Sequence, residues 1–369
     1  MRSIFRLTLA LFTFICLSFS TTVHSADPLF STYVALGDSL TQGNQGGSVE
    51  ETRQSLAYPA LLAQLMGTDY NQATLTFPGN KVNIEDFIKG NIKWWQYYYV
   101  LIGGHRKDRF QTQENLSNFG ITGAEASDLL ANSGDTGMYK LVLGKGGKPA
   151  VDQATDRSPT FATVWIGSNS VLKSVIFGDE RLMTPIETFR TNIQQLADKL
   201  AATESLQGVA IANIPNVTEI ALLMNSEAGG KQHQWAGMFA DNEDISENTL
   251  TTIHNQVLAM NVIIEEVAAQ HGWALVDLYS EFENIIENDH VLTRADGSLS
   301  DQIITRDYLG GLFSLDGMHL STTGQAIFAN FFINNINDFF NTDLANVDET
   351  VAASQDTLMQ TPVDPRSFF

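Results

Sequence analysis

The chain has 369 residues, 43% of them hydrophobic, and a formal net charge of -21. That length and apolar content allow a large core, in two small domains or, on the reading preferred here, in one domain with insertions. The acidic balance disfavours phosphate backbones, so no nucleic acid partner is expected, and it opposes tight docking on anionic lipid unless a local patch overrides it.

Arg2 and Arg6, the apolar run from Leu7 to Ser20 and the small residues Ser25 and Ala26 have the form of an export signal over residues 1–26. The expectation is a mature chain starting near Ala26 or Asp27 that is periplasmic or extracellular. A retained anchor is the alternative, but the run is shorter than the ~18 apolar residues a span wants, so no stable membrane span is expected in the mature chain. Phe14 and Ile15 before Cys16 are too large for a lipoprotein processing site. Cys16 is the only cysteine, so the mature chain would have no disulfide, no thiol nucleophile and no cysteine-based metal site.

Beyond the signal, short β-rich apolar runs alternate with segments of helical period, which predicts an α/β domain over residues 27–340 built on a parallel sheet. The strands are placed at Tyr33 to Leu36, Leu116 to Phe119, Ala162 to Ile166, Gly208 to Ala212 and Trp273 to Leu278. Helices are placed at Leu56 to Met66, Ala124 to Ala131, Ile186 to Thr203, Thr249 to His271 and Thr323 to Phe340. The fourth is the clearest, since Ile253, Val257, Met260, Ile264 and Val267 recur at spacings of three and four and Gly272 follows as a stop.

Two stretches exceed a minimal five-strand sandwich, near 71–115 and 225–248, and read as insertions that shape a substrate site. The first holds Phe87, Trp94, Trp95, Tyr97, Tyr98 and Tyr99 beside Lys89, Lys93, His105, Arg106, Lys107 and Arg109, read first as a packing cluster of the insertion and otherwise as an acyl-binding or interfacial surface. Residues Gly134 to Ser158 read as a turn-rich loop. Their Gly144-Lys-Gly-Gly-Lys-Pro is not a phosphate loop, because Pro149 stands where a hydroxyl is required. Residues 341–369 are polar and aperiodic and are expected to form a loosely held tail, with Phe368 and Phe369 free to dock on the body.

The chemistry concentrates in Gly37-Asp38-Ser39-Leu40, directly after the first strand, where an open parallel sheet binds its ligands. Gly-Asp-Ser alone is equally a turn, and a hydroxyl needs a base to become a nucleophile. Near the other end, Asp316-Gly-Met-His319 supplies one: Asp316 can accept from one ring nitrogen while the other faces Ser39, although such a pair is also common as a helix cap or surface pair. Donors for a developing oxyanion are available from the backbone of Ser39 and Gly123 and from the side chain of Asn169, though Asn169 reads equally as an ordinary turn residue and Gly123 as a helix-entry residue.

The ordered set Gly37-Asp38-Ser39-Leu40, Gly123, Gly167-Ser168-Asn169 and Asp316-Gly-Met-His319 resembles the GDSL or SGNH hydrolase superfamily. The resemblance spans about residues 30 to 340 and implies a flavodoxin-like three-layer α/β/α sandwich with a five-stranded parallel sheet. It implies Ser39 as nucleophile, His319 as base, Asp316 as its orienter, and Gly123 and Asn169 in the oxyanion hole. One departure is Ser170, where many members carry Asp. The α/β-hydrolases share the order Ser, Asp, His, but no Gly-x-Ser-x-Gly occurs here.

The reading is an exported serine esterase or lipase acting on a small-molecule, lipid or glycan ester with no cofactor and no metal. His105, His233, His254, His271 and His290 are scattered, without metal-ligand spacing, and are assigned to surface or packing. Carboxylic esters of short or medium acyl chains come first, with lipid esters favoured slightly. Deacetylation of a polysaccharide or peptidoglycan is the runner-up, thioester or lysophospholipid cleavage is possible, and a noncatalytic glycan- or lipid-binding protein on the same fold is the rival from another class.

Overall fold

The computed structural model describes residues 27–93, 110–111, 115–131, 137–144, 147–226, 229–234 and 244–362. The expected export segment 1–26, the aromatic and basic residues from Trp94 to Arg109, and Phe368 and Phe369 lie outside the described residues.

Five strands form the central sheet: β1 (Tyr33–Gly37), β2 (Asn118–Gly120), β3 (Phe161–Trp165), β4 (Gly208–Ala212) and β5 (Ala274–Val276). They lie in the order β5-β4-β3-β1-β2, and every pairing is parallel. β1 is buried along its whole length, which is why it reads as a continuous apolar run: a parallel sheet covered on both faces leaves no side for polar residues. Thr163 in β3 and Asn118 in β2 are polar exceptions: the Thr163 hydroxyl pairs with Tyr33 Oη at 2.7 Å, and Asn118 Nδ2 donates to the Thr41 carbonyl at 2.8 Å.

The helices that build the body around the sheet include α1 (Ser39–Gln42), α2 (Tyr58–Met66), α3 (Ala126–Leu130), α4 (Ala150–Asp156), α5 (Asn169–Phe177), α6 (Ile186–Ala201), α7 (Glu247–His271), α8 (Leu278–Asn288) and α9 (Thr322–Phe340), with α10 (Glu349–Gln355) packed on α9. α2 packs with α9, whereas α6 packs with α3, α4 and α7, so the sheet is covered on both sides as the three-layer sandwich requires. In α7 the whole stripe from Ile253 to Val267 is buried, Ser246 caps the first turn by accepting from the Thr249 N–H, and Gly272 closes the last turn at φ 66°. Between the sheet and α2 and α9, Trp165 stacks on Phe328 at 5.4 Å and Tyr58 on Phe332 at 4.7 Å.

The five expected strands and five expected helices all form, with ends shifted by a few residues. The stretch from Gly134 to Ser158 corrects the reading as a loop: Gly137–Leu143 and α4 are helical and bury Val142, Leu143, Ala150, Val151 and Ala154. Each helix is only seven residues long, too short for the apolar period to stand out between the glycines. α5, α8 and a hairpin of β6 (His290–Thr293) and β7 (Leu299–Ile304) were likewise not expected. In the first insertion, Thr74–Leu75 pairs with Phe110–Gln111, and the short helix Ile84–Ile88 is tied to the body by Arg53 and Asp86 at 3.0 Å. In the second, Leu223–Asn225 pairs with Lys231–His233.

The tail is also corrected as far as it is described. Glu349 in α10 is buried and accepts from His290 Nε2 at 2.8 Å, the Thr293 N–H at 2.7 Å and Asn330 Nδ2 at 2.8 Å. Asp356 accepts from the N–H and hydroxyl of Thr323, in the first turn of α9. Two buried carboxylates therefore fasten a polar segment that apolar patterning alone would leave loose. Glu349→Ala strands those donors and is expected to lower stability by roughly 2–4 kcal/mol. A thermal melt superimposable on that of the parent would contradict the clamp.

Candidate active site

Because β2, β1 and β3 are adjacent and parallel, their carboxyl ends open side by side. The turn after β1 is set by Gly37, where a Cβ would lie 2.1 Å from Thr41 Oγ1 and 2.4 Å from the Trp165 carbonyl oxygen. Asp38 then caps α1, its Oδ1 accepting from the Leu40 N–H at 2.9 Å, which puts Ser39 at the first helical position. Among the described residues, neither the Ser39 N–H nor its hydroxyl has a protein partner. The Gly123 N–H beyond β2 is free in the same sense.

From the far end of the chain comes the turn Ser314 to Leu320, just before α9. Gly317 sits at φ +69°, with a notional Cβ only 2.5 Å from the Leu222 nitrogen, so the turn presses flat on the backbone at Leu222. The reading of Asp316 as a helix cap is excluded, because Ser321 caps α9. Asp316 Oδ2 instead accepts from His319 Nδ1 at 2.7 Å and the Gly47 N–H at 2.6 Å. Its Oδ1 accepts from the Met318 and His319 N–H groups, both at 2.9 Å, and from Ser314 Oγ at 3.2 Å.

Burial alone would raise the Asp316 carboxyl, but the neighbouring His319 and these hydrogen bonds hold it below the usual carboxylate range. Burial likewise opposes charge on His319. The Asp316 carboxylate, the bond to it and the more distant Asp38 outweigh this and raise the imidazole, with Lys81 acting in the opposite sense. At Asp38 burial wins, and its carboxyl is pushed up to about 6 despite the Leu40 N–H and His319.

Ser39, Asn169 and His319 line one cavity, whose remaining wall is mainly apolar and includes Leu40, Leu172 and Phe282. Asp316 stands behind His319. Gly123 is not part of that wall, although its neighbour Ala124 is held by the site, since Asn169 Nδ2 donates to the Ala124 carbonyl at 3.0 Å and to Asp38 Oδ2 at 3.2 Å. The Asn169 amide thus bridges the ends of all three strands. The structure thus brings Ser39, Asn169, His319 and Asp316 into one place across nearly the length of the chain. Sequence reasoning missed Asp38 as the partner of Asn169, and it missed the apolar wall. Asp38 was visible inside the Gly-Asp-Ser block; the wall comes from segments with no common spacing. Among the described residues no group of three or more His, Cys, Asp and Glu is placed to hold a metal ion. Among them, too, no helix is long and apolar enough to cross a membrane.

The family described as GDSL-like lipase/acylhydrolase matches residues 33–332. Among curated proteins none matches the chain. Solved structures similar to it include an acetylxylan esterase from Geobacillus stearothermophilus, 12% identical over 82% of this chain and 93% of that one, with a TM-score of 0.42. A phospholipase A1 from Streptomyces albidoflavus is 17% identical over 84% and 99% of the two chains, with a TM-score of 0.40. An extracellular lipase from Streptomyces rimosus is 15% identical over 83% and 98%, with a TM-score of 0.39.

Proposed function

The chain belongs to the GDSL-like lipase/acylhydrolase family and is a carboxylic ester hydrolase, and from that premise we propose that Ser39 is its nucleophile and His319 its general base. The observation that carries this reading is the 2.7 Å bond from His319 Nδ1 to a saturated Asp316, which leaves Nε2 unpartnered among the described residues on the cavity that also exposes Ser39. The Ser39 oxygen attacks the acyl carbon as its proton passes to His319 Nε2. Collapse of the tetrahedral species expels the alcohol, which takes that proton, and leaves an acyl-Ser39 ester that water hydrolyses by the same steps.

The N–H groups of Ser39 and Gly123, without partners among the described residues, support a role as oxyanion donors. Asn169 joins them as its amide turns from Asp38 toward the developing charge. The apolar wall around Ser39 supports a carboxylic ester with an apolar acyl chain, since polar groups against such a wall would lose water without gaining partners. The basic start, apolar run and small residues of positions 1–26 support export.

A fluorophosphonate tests the assignment directly: the expected product is a single adduct, mapped to Ser39 by peptide mass spectrometry. A chain left unmodified under conditions that inactivate other serine esterases overturns it and favours the noncatalytic binding protein. A panel of esters graded in acyl length, with acetylated xylan and peptidoglycan beside it, reads the substrate class.

The base must be neutral to act, so kcat/KM on an uncharged ester is expected to rise with pH, with a midpoint above the ordinary imidazole value near 6.5. Removing the Lys81 charge in Lys81→Met moves that midpoint further up, because a cation that disfavours the imidazolium is gone. A midpoint that falls would contradict the assignment.

A further inference from the structure

The Asp316 to His319 turn has a second cavity on its other side. It measures about 440 Å³, against about 60 Å³ for the one beside Ser39, and Met318 lines both. Among the described residues its apolar walls are Val82, Ile84, Ile176, Phe177, Leu222 and Met318, with Gly46 and Gly47 also lining it. Three polar side chains among the described residues reach it. Asp316 has its oxygens taken by five donors, Lys81 is exposed, and His233 is held below the usual imidazole value by burial and approaches the Val175 carbonyl at 3.4 Å.

Resting on the reading of Ser39 and His319 above, we infer that this second cavity takes the alcohol limb of the ester, and that the substrate joins a short acyl group to a bulky, largely apolar alcohol. Two facts point there. The leaving oxygen must sit within reach of the imidazole that protonates it, and Met318, the residue before His319, is the side chain among the described residues that lines both cavities, so an alcohol limb that leaves past Met318 enters the second. The sizes then divide the two limbs. An apolar cavity of about 150 Å³ holds benzene, so the 60 Å³ space suits an acyl chain of a few carbons, whereas the 440 Å³ space admits a ring system or a branched chain. A sugar would bury hydroxyls against six apolar side chains, with Lys81 and His233 alone among the described residues to meet them.

The test uses two series of aliphatic esters, in which the leaving-group acidity hardly changes. Across ethyl, hexyl and 2-cyclohexylethyl acetate, kcat/KM is expected to rise at least tenfold, and across ethyl acetate, hexanoate and decanoate it is expected to fall. Free 2-cyclohexylethanol should compete with substrate far better than ethanol. Ile176→Trp and, independently, Ile84→Trp fill the second cavity from different walls and should lower the ratio of cyclohexylethyl to ethyl acetate hydrolysis at least tenfold. An enzyme that labels at Ser39 yet prefers longer acyl chains, or keeps that ratio in both folded variants, overturns the proposal alone. A chain that neither labels nor hydrolyses any ester overturns the serine assignment and this inference together.

Discussion

Alanine in place of Ser39 is expected to lower kcat by about 10⁵ to 10⁶ while leaving the fold intact, because the hydroxyl does chemistry and almost no structural work. Its Oγ has no protein partner among the described residues, and the turn that presents it is held by other groups: the tight approach at Gly37 and the Asp38 cap on the Leu40 N–H. Removing one oxygen at a 7% exposed position leaves neither a stranded donor nor a large void. The prediction therefore has two halves, measured by turnover and by thermal denaturation on the same preparation. Loss of activity with an unchanged melting temperature is the expected pair. A variant that retains turnover within tenfold of the parent would remove Ser39 from the mechanism.

The second large effect is expected at Asp316, and there activity and stability should fall together. In Asp316→Asn one of the two oxygens becomes an amino group. If it occupies the Oδ2 position, it faces the Gly47 N–H and can bond His319 Nδ1 only as a donor, which forces the imidazole into the tautomer that cannot accept from Ser39. If it occupies the Oδ1 position, the Met318 and His319 N–H groups lose their acceptor. Either choice strands at least one buried backbone donor, a loss of about 1–3 kcal/mol for each.

The Oδ2 placement strands one backbone N–H where the Oδ1 placement strands two, so it is the one expected, and the fall in kcat is then about 10⁴, since no other acceptor for His319 Nδ1 is present among the described residues to restore the tautomer. Loss of the carboxylate charge also removes the main influence raising His319, so the acidic limb of the pH profile should move to lower pH. Full activity with an unmoved limb would show that the carboxylate does not act through the histidine. That third readout separates positioning of the base from mere destabilisation of the turn.

How much of this was legible beforehand depends on the range of the interaction concerned. The strand from Tyr33 and the helix ending at His271 were placed within a few residues because their signals are local: an unbroken apolar run, and a stripe of buried residues ended by glycine. The seven-residue helices between Gly137 and Asp156 were not, because a segment of two turns carries too few apolar positions to distinguish a period from a loop. The tail shows the opposite limit. Its polarity is real, but Glu349 and Asp356 are polar residues used inside, and nothing near them in the chain announces His290, Thr323 or Asn330 as their partners.

What the sequence determined by itself was the chemical inventory and its order: a hydroxyl after one strand, an amide after another, and a carboxylate and an imidazole three residues apart. These choices are bound to backbone direction, since an open parallel sheet delivers the ends of its strands to one edge whatever their loops contain. The tertiary structure decided the rest. It closed the Gly47 N–H onto Asp316 across 269 positions, turned the Asn169 amide onto Asp38 across 131, and set two cavities of unequal size on either side of one turn. Cavity walls and buried hydrogen bonds are assembled from distant residues whose only common property is where packing leaves them, and no local pattern carries that information.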